Sequence, residues 1–350
     1  MSSWRKATLA DVAQLAGVSG TTVSYILNGR AEEMRISVQT QQRVRAAVAE
    51  LDYRPNRSAR NLRTSGTTKT IGLISDFIAS GHFANQMLSG AGAAARRWDH
   101  VVVIGETLGD PGVEAEFVDE LQDRQVDGFV YARLVTSVIT VPAALRGRRT
   151  ILLNAVDEGA ELPSVVHDER AGGATAAEVL VRAGCTGPVV VVGNRTLSRA
   201  TAGADRIAGI EARLQRAGIH VAAYVSCEWD VAPAYDAVVG LLRSGSPPAA
   251  LICLNDRIAM GCYQAIADCG LRIPDDVSVV SFDGSDLAGW LRPRLTSVRV
   301  PYEAMGVRAV DLLMSESWAT AGLQRVSMPL APGASVRPRA PASRTHSRAR

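Results

Sequence analysis

Residues 8–29 read TLADVAQLAGVSGTTVSYILNG, and their pattern specifies two short helices joined by a tight turn. Thr8 and Asp11 form a capping box at a helix start, the hydroxyl and carboxylate meeting free N–H groups. Leu9, Val12, Ala13 and Ala16 give that helix one apolar face. Gly17 accepts the left-handed turn that ends it. Val18 fills the turn, Ser19 caps a second helix from Gly20 to about Leu27, and Asn28-Gly29 is a stop signal. The result is a helix-turn-helix, whose second helix is the usual reader of the DNA major groove.

Working outward, a long charged loop over residues 30–36 leads to a third helix, capped by Ser37 and turned inward by Val44, Val48 and Leu51. Pro55 permits a new helix start but not a continuation. The stretch after it places Arg57, Arg60 and Arg63 at a period of three, interleaved with Ala59 and Leu62. Beside a helix-turn-helix, such a run points to phosphate contact.

Charge divides the chain in the same way. Residues 1–69 carry eleven basic and five acidic side chains, residues 331–350 five arginines and no acid, so the stretch between is net negative although the whole is +3. A basic head on an acidic body points to a nucleic-acid or membrane partner for the head. No apolar run approaches the roughly 18 residues of a membrane span. The polar start, Met1–Lys6, lacks the apolar segment of a secretion signal, so a cytoplasmic protein is expected. Five cysteines without a C-x-x-C pair and five scattered histidines predict buried free thiols and no metal site; no cofactor is implied either.

From Thr70 the texture changes. Short apolar runs at 71–74, 101–104, 128–131, 150–153, 189–192, 250–254 and 277–282 alternate with helical stretches at 84–98, 115–124, 171–183, 207–217 and 257–269. This alternation predicts parallel sheets covered on both faces, in two similar lobes with a cleft between them. Ligands in such folds bind beyond the carboxyl ends of the strands.

The segments TLADVAQLAGVSGTTVSYILNG (8–29), VRAAVAELDYRPNRSARNL (44–62) and TIGLI (70–74), in that order, resemble the LacI/GalR family of bacterial transcriptional regulators over about residues 7–337. The resemblance implies an all-α helix-turn-helix head (1–54), a hinge helix and linker (55–69), and an α/β periplasmic-binding-protein-like body. The body divides into two doubly wound parallel-sheet lobes, 70–170 plus 300–331 and 171–299, before a basic, disordered tail (332–350). It also implies operator DNA and a small-molecule effector as partners, and a homodimer, since the tail has no leucine heptad.

Position by position, Gly20, Thr21 and Tyr25 fall at base-reading places, and Thr22 and Ser24 at phosphate-contacting ones. Thr8, Ser19 and Asn28 complete the DNA-facing set of the head. Tyr25 stands where many members have Arg, and cannot make a bidentate guanine contact. In the hinge, Arg57 and Arg60 face phosphates, and Ala59 and Leu62 the minor groove, with Leu62 as the wedge between base pairs. In the cleft the resemblance places Asp76, Phe83, Asn154, Arg206, Trp229, Asn255 and Asp283, a set suited to sugar hydroxyls. Ala132 and Val300 are apolar where sugar-binding members often carry polar residues, so a purine or another metabolite is the alternative effector. Asp256 is expected to cap the helix that follows it. A transport solute-binding protein is the distant alternative. No dinucleotide fingerprint, P-loop or G-x-S-x-G is present, so the reading is not an enzyme.

Overall fold

A hydroxyl starts each of the first three helices. The computed structural model describes residues 7–54, 66–77, 85–195 and 202–338. Helix α1 (Leu9–Ala16) begins with the expected box: Asp11 N donates to Thr8 Oγ1 at 3.3 Å, and Thr8 N to the Asp11 carboxylate at 2.7 Å. Ser19 accepts from Thr22 N at the start of α2 (Gly20–Leu27), and Ser37 from Thr40 N at the start of α3 (Val38–Glu50). Gly17 ends α1 at φ +63°, where a Cβ would be strained. Val12, Ala16, Val23, Ile26, Val44 and Ala47 are buried together, so the three helices have a core of their own. They lie in the first of two compact units, Met1–Lys69 and Thr70–Arg350. The expected hinge helix falls at residues 55–65, outside the described residues.

The second unit alternates strand and helix. In order it runs β1 (Thr70–Ser75), α4 (Asn85–Arg97), β2 (Val101–Glu106), α5 (Pro111–Asp123), β3 (Gly128–Ile139), β4 (Thr150–Asp157) and β5 (Ser164–His167). It continues as α6 (Glu169–Arg182), β6 (Val189–Val192), α7 (Ala202–Arg216), β7 (Val221–Val225), α8 (Val231–Ser244), β8 (Ala250–Cys253) and α9 (Asp256–Asp268). Last come β9 (Ser278–Asp283), α10 (Asp286–Trp290), β10 (Thr296–Arg299), α11 (Tyr302–Met314), β11 (Leu323–Val326) and β12 (Leu330–Ala331). The strands form two six-stranded sheets, ordered β11-β5-β4-β3-β1-β2 and β12-β10-β9-β8-β6-β7. Every ladder is parallel except the short β10–β12 pair. Central strands such as Val189–Val192 are buried throughout, which is why they read as unbroken apolar runs.

Three crossings join the lobes. The first follows β5 and the second follows β10, near the expected positions. The third was not expected: after β11 the chain returns to the second sheet as β12. The second lobe therefore reclaims residues 330–331 from the first. The tail also starts later than residue 332, because Ser335 is fully buried, donating to Val279 O and accepting from Thr296 N.

Glycines set how closely the covering helices approach. A Cβ on Gly173 of α6 or on Gly209 of α7 would fall within 3.0 Å of the other helix's backbone. Gly90 and Gly306 play the same part between α4 and α11. At the edge of the first sheet, β2 leaves Val101 62% and Ile104 43% exposed, an apolar rim.

Candidate DNA-reading surface and effector cleft

In the head, Val23 and Ile26 face inward, which leaves Thr21, Tyr25 and Asn28 on the outer face at helical spacing. The Ser19 and Thr22 hydroxyls share a 2.9 Å hydrogen bond, and Asn28 donates to the Ser24 hydroxyl at 3.2 Å. Thr8 and Ser19 are exposed helix caps. Gly20 is small for packing: a Cβ there would meet Leu9 at 3.0 Å. Tyr25 is half-buried beneath a guanidinium, with Arg30 Cζ 5.3 Å from its ring centroid. The expected hinge contacts Arg57, Ala59, Arg60 and Leu62, with Arg63, lie outside the described residues.

In the body, two buried groups of polar side chains stand out. The first-lobe group is self-contained. Asp76 accepts from Leu134 N at 2.8 Å and Phe77 N at 2.7 Å and pairs with Arg133 at 3.3 Å. Asn154, at φ +57°, donates to Arg133 O and Leu134 O at 3.0 Å and accepts from Thr136 at 2.5 Å. Both residues hold the irregular stretch of β3 between Ala132 and Ser137, where its register with β4 shifts. Phe83 lies outside the described residues.

The second group is centred on Arg206, which is 3% exposed. Its Nε and Nη2 donate to the two Glu169 oxygens at 2.5 and 3.0 Å, and its Nη1 donates to Leu254 O. The guanidinium carbon lies 4.6 Å from the Phe282 ring centroid and 5.3 Å from that of Trp229. The Gly173–Gly209 crossing brings Glu169 on α6 within reach of Arg206 on α7. His167, the last residue of β5, shares a 2.7 Å hydrogen bond with Glu169, and its Nδ1 has no partner among the described residues. Burial pushes the Glu169 carboxyl up, but the neighbouring charges of Arg206 and His167 outweigh it and hold it at about 2.

Asp283 adjoins this group in the same field. Burial first, then the neighbouring charge of Asp256, pushes its carboxyl up to about 8, against the pull of Arg206. Its backbone is strained at φ +99°, and Asp256 buttresses that bend. The Asp256 carboxylate accepts from the Ser281 and Ser297 hydroxyls at 2.7 and 2.8 Å, and from Ser285 N and Oγ at 2.8 and 2.7 Å. Asp256 therefore does not cap its helix. Asn255 does, accepting from Ile258 N at 2.8 Å while donating to Trp229 O at 3.2 Å. Trp229 donates its indole N–H to Asn194 O at 3.1 Å.

A cavity of about 570 Å³ opens between the lobes beside these residues. Asn85, Gln86 and Ser89 of α4 form one wall, Arg257, Met260 and the turn from Asp283 the other, and Tyr302 lines it as well. Of the six expected effector residues among the described ones, only Asp283 lines this cavity. Arg206 and Trp229 stand behind it, Asn255 fixes a helix start, and Asp76 and Asn154 shape the first lobe. Ala132 and Val300 are buried. Three members of the cluster escaped the sequence reading. Glu169 in a first helical turn looks like an ordinary solvated complement to the helix dipole, His167 like a strand end, and Tyr302 after Pro301 like a helix start. The hydroxyl of Tyr302 is raised by burial and by Asp283, which marks it as part of the same field.

Comparison with known proteins bears on both units. The model for bacterial regulatory proteins of the lacI family matches residues 8–56, and that for a periplasmic binding protein-like domain matches 177–336. The ribose operon repressor of Haemophilus influenzae is 30% identical over 317 residues, covering 88% of this chain and 91% of its own. The HTH-type transcriptional repressor PurR of Aliivibrio salmonicida is 29% identical over 315 residues, with the same coverage. Among solved structures, the Lac repressor dimer bound to operator and the anti-inducer ONPF superposes with a TM-score of 0.78 at 26% identity, covering 95% of this chain and 99% of that one.

Proposed function

The chain belongs to the LacI family of bacterial regulatory proteins, and on that premise we propose that it is a cytoplasmic repressor released from or driven onto operator DNA by an uncharged, hydroxyl-bearing effector, a sugar, bound between its lobes. The state of Arg206 supports that effector class. Its charge is already met by buried Glu169, and three of its five N–H donors are engaged. A phosphorylated effector would meet the Asp283 carboxyl group, and Arg257 in the same wall is already paired with Asp230 at 3.7 Å. A neutral polyol in the cavity finds a carboxyl group poised to donate or accept, and the Tyr302 hydroxyl. A purine is the second reading, since the Arg206 and Asp283 pair also matches a nucleobase edge.

The protein acts by binding, without a catalytic step. Two copies place two heads on the half-sites of a near-palindromic operator. The apolar β2 rim is a surface for the second copy. The effector acts by binding the two lobe arrangements with different affinity, and the same difference sets its effect on DNA.

Gel shifts with the DNA upstream of the gene, combined with thermal shifts in ribose, other neutral sugars and hypoxanthine, test the reading. Sequence-specific, salt-sensitive binding modulated by a neutral sugar is the expected result. Absence of any sequence-specific binding would sink it, and a response to hypoxanthine alone would select the purine.

A further inference from the structure

Arg30 follows the recognition helix after Asn28 and Gly29, yet it is no freely waving surface arginine. Its backbone N–H donates to Tyr25 O at 2.9 Å, and the next residue, Ala31, is buried in the head's core. Its guanidinium lies over the Tyr25 ring at 5.3 Å. Nε and Nη2 grip the two Glu33 oxygens at 2.8 and 2.6 Å, a fork that matches two phosphate oxygens equally well. Both side chains are more than half exposed, so the carboxylate's hold is weak and exchangeable.

The position fits this chemistry. A helix of eight residues is about 12 Å long, and the major groove is about 12 Å wide. The N-terminal residues of a recognition helix meet the base edges, so a residue just beyond its C-terminus reaches the groove rim, where the phosphates run.

We propose that Arg30 is a phosphate contact at that rim, held ready by stacking on Tyr25, with Glu33 as the built-in counter-ion that a DNA phosphate displaces. Tyr25 then contributes by aiming a cation as well as by whatever it reads. The proposal rests on the DNA-binding reading of the head, and the test separates the two.

A phosphate contact acts on any sequence, so the full-length protein is titrated with a short duplex of random sequence, followed by fluorescence anisotropy, between about 50 and 200 mM salt. Arg30→Ala is expected to weaken binding and to reduce the magnitude of the log–log salt slope by about 0.9, equally on unrelated duplexes. Glu33→Gln is expected to tighten it. Circular dichroism checks that both variants keep the head folded, as their exposure predicts. An unchanged slope in Arg30→Ala, with wild-type binding intact, overturns the phosphate contact. Weaker binding by Glu33→Gln overturns the counter-ion. If the wild type shows no salt-sensitive binding to this duplex or to upstream DNA, the DNA-binding reading itself fails.

Discussion

Asp76 and Asn154 in the first lobe and Arg206 and Asp283 in the second are all expected from the sequence to touch the effector, and their surroundings separate them. Asp76 and Asn154 give their hydrogen bonds to one stretch of their own lobe, residues 133–136, and keep little for a ligand. Arg206 is tied to a carboxylate from the neighbouring helix and stands buried behind the cavity, while Asp283 lines it. The difference teaches that residue type near a strand end does not make a binding group. What decides is whether the local backbone already satisfies it. An irregular strand such as β3 absorbs polar side chains, whereas the strained turn at Asp283 leaves its carboxyl group on the cavity wall.

The comparison is broken most forcefully at Glu169. Glu169→Ala leaves Arg206 buried without its partner and is expected to cost about 3–5 kcal/mol in urea unfolding. A loss below about 1 kcal/mol would mean that Arg206 finds water or Asp283 instead, and that the ion pair does not organise the site. Asn154→Ala comes next. It removes three hydrogen bonds at a left-handed position that Asn tolerates well, and is expected to cost about 1–3 kcal/mol while leaving effector affinity unchanged. Calorimetric titration checks the second half, and a marked loss of affinity would move Asn154 back into the binding set.

The last effect is a pH dependence of opposite sign at two neighbouring carboxyl groups. Glu169 is held at about 2, so its contribution to stability is present above the ordinary carboxylate range and lost only in strong acid. Asp283 is raised to about 8, so its contribution is complete below the ordinary carboxylate range and declines as pH rises through 8. Asp283→Asn should therefore flatten the fall in thermal midpoint between about pH 5 and pH 9. Parallel curves for variant and wild type would show that Asp283 is not the titrating group.

The head was legible almost residue by residue, because its signals are local. Thr8 with Asp11, Gly17, Ser19 and Ser37 act within a few residues of themselves, and each does what its spacing predicts. The central strands were legible because burial on both faces demands unbroken β-branched runs. Some shorter or edge strands were not. VAAYV in the edge strand β7 is alternately exposed, and TSVR in β10 is half polar although mostly buried, its Ser297 hydroxyl being bonded to Asp256. Glu169 was illegible for another reason. Its burial depends on Arg206, 37 residues away, and on a glycine contact between two helices, neither of which leaves a local pattern.

The three crossings between the lobes have a mechanical consequence. They are laced side by side: Asp168 N donates to Val326 O at 2.9 Å, and Arg299 N to Pro329 O at 2.8 Å. One strand between two bodies permits any twist, but three strands bonded along a line behave like a door hinge, with the opening angle as the main freedom. Glu169 and Tyr302 sit within a few residues of that line, and Val300 N ties Asp283 to it at 3.0 Å. A molecule held there presses on the pin of the hinge rather than on the rims of the doors, so a contact of a few ångströms can be passed on as an angle.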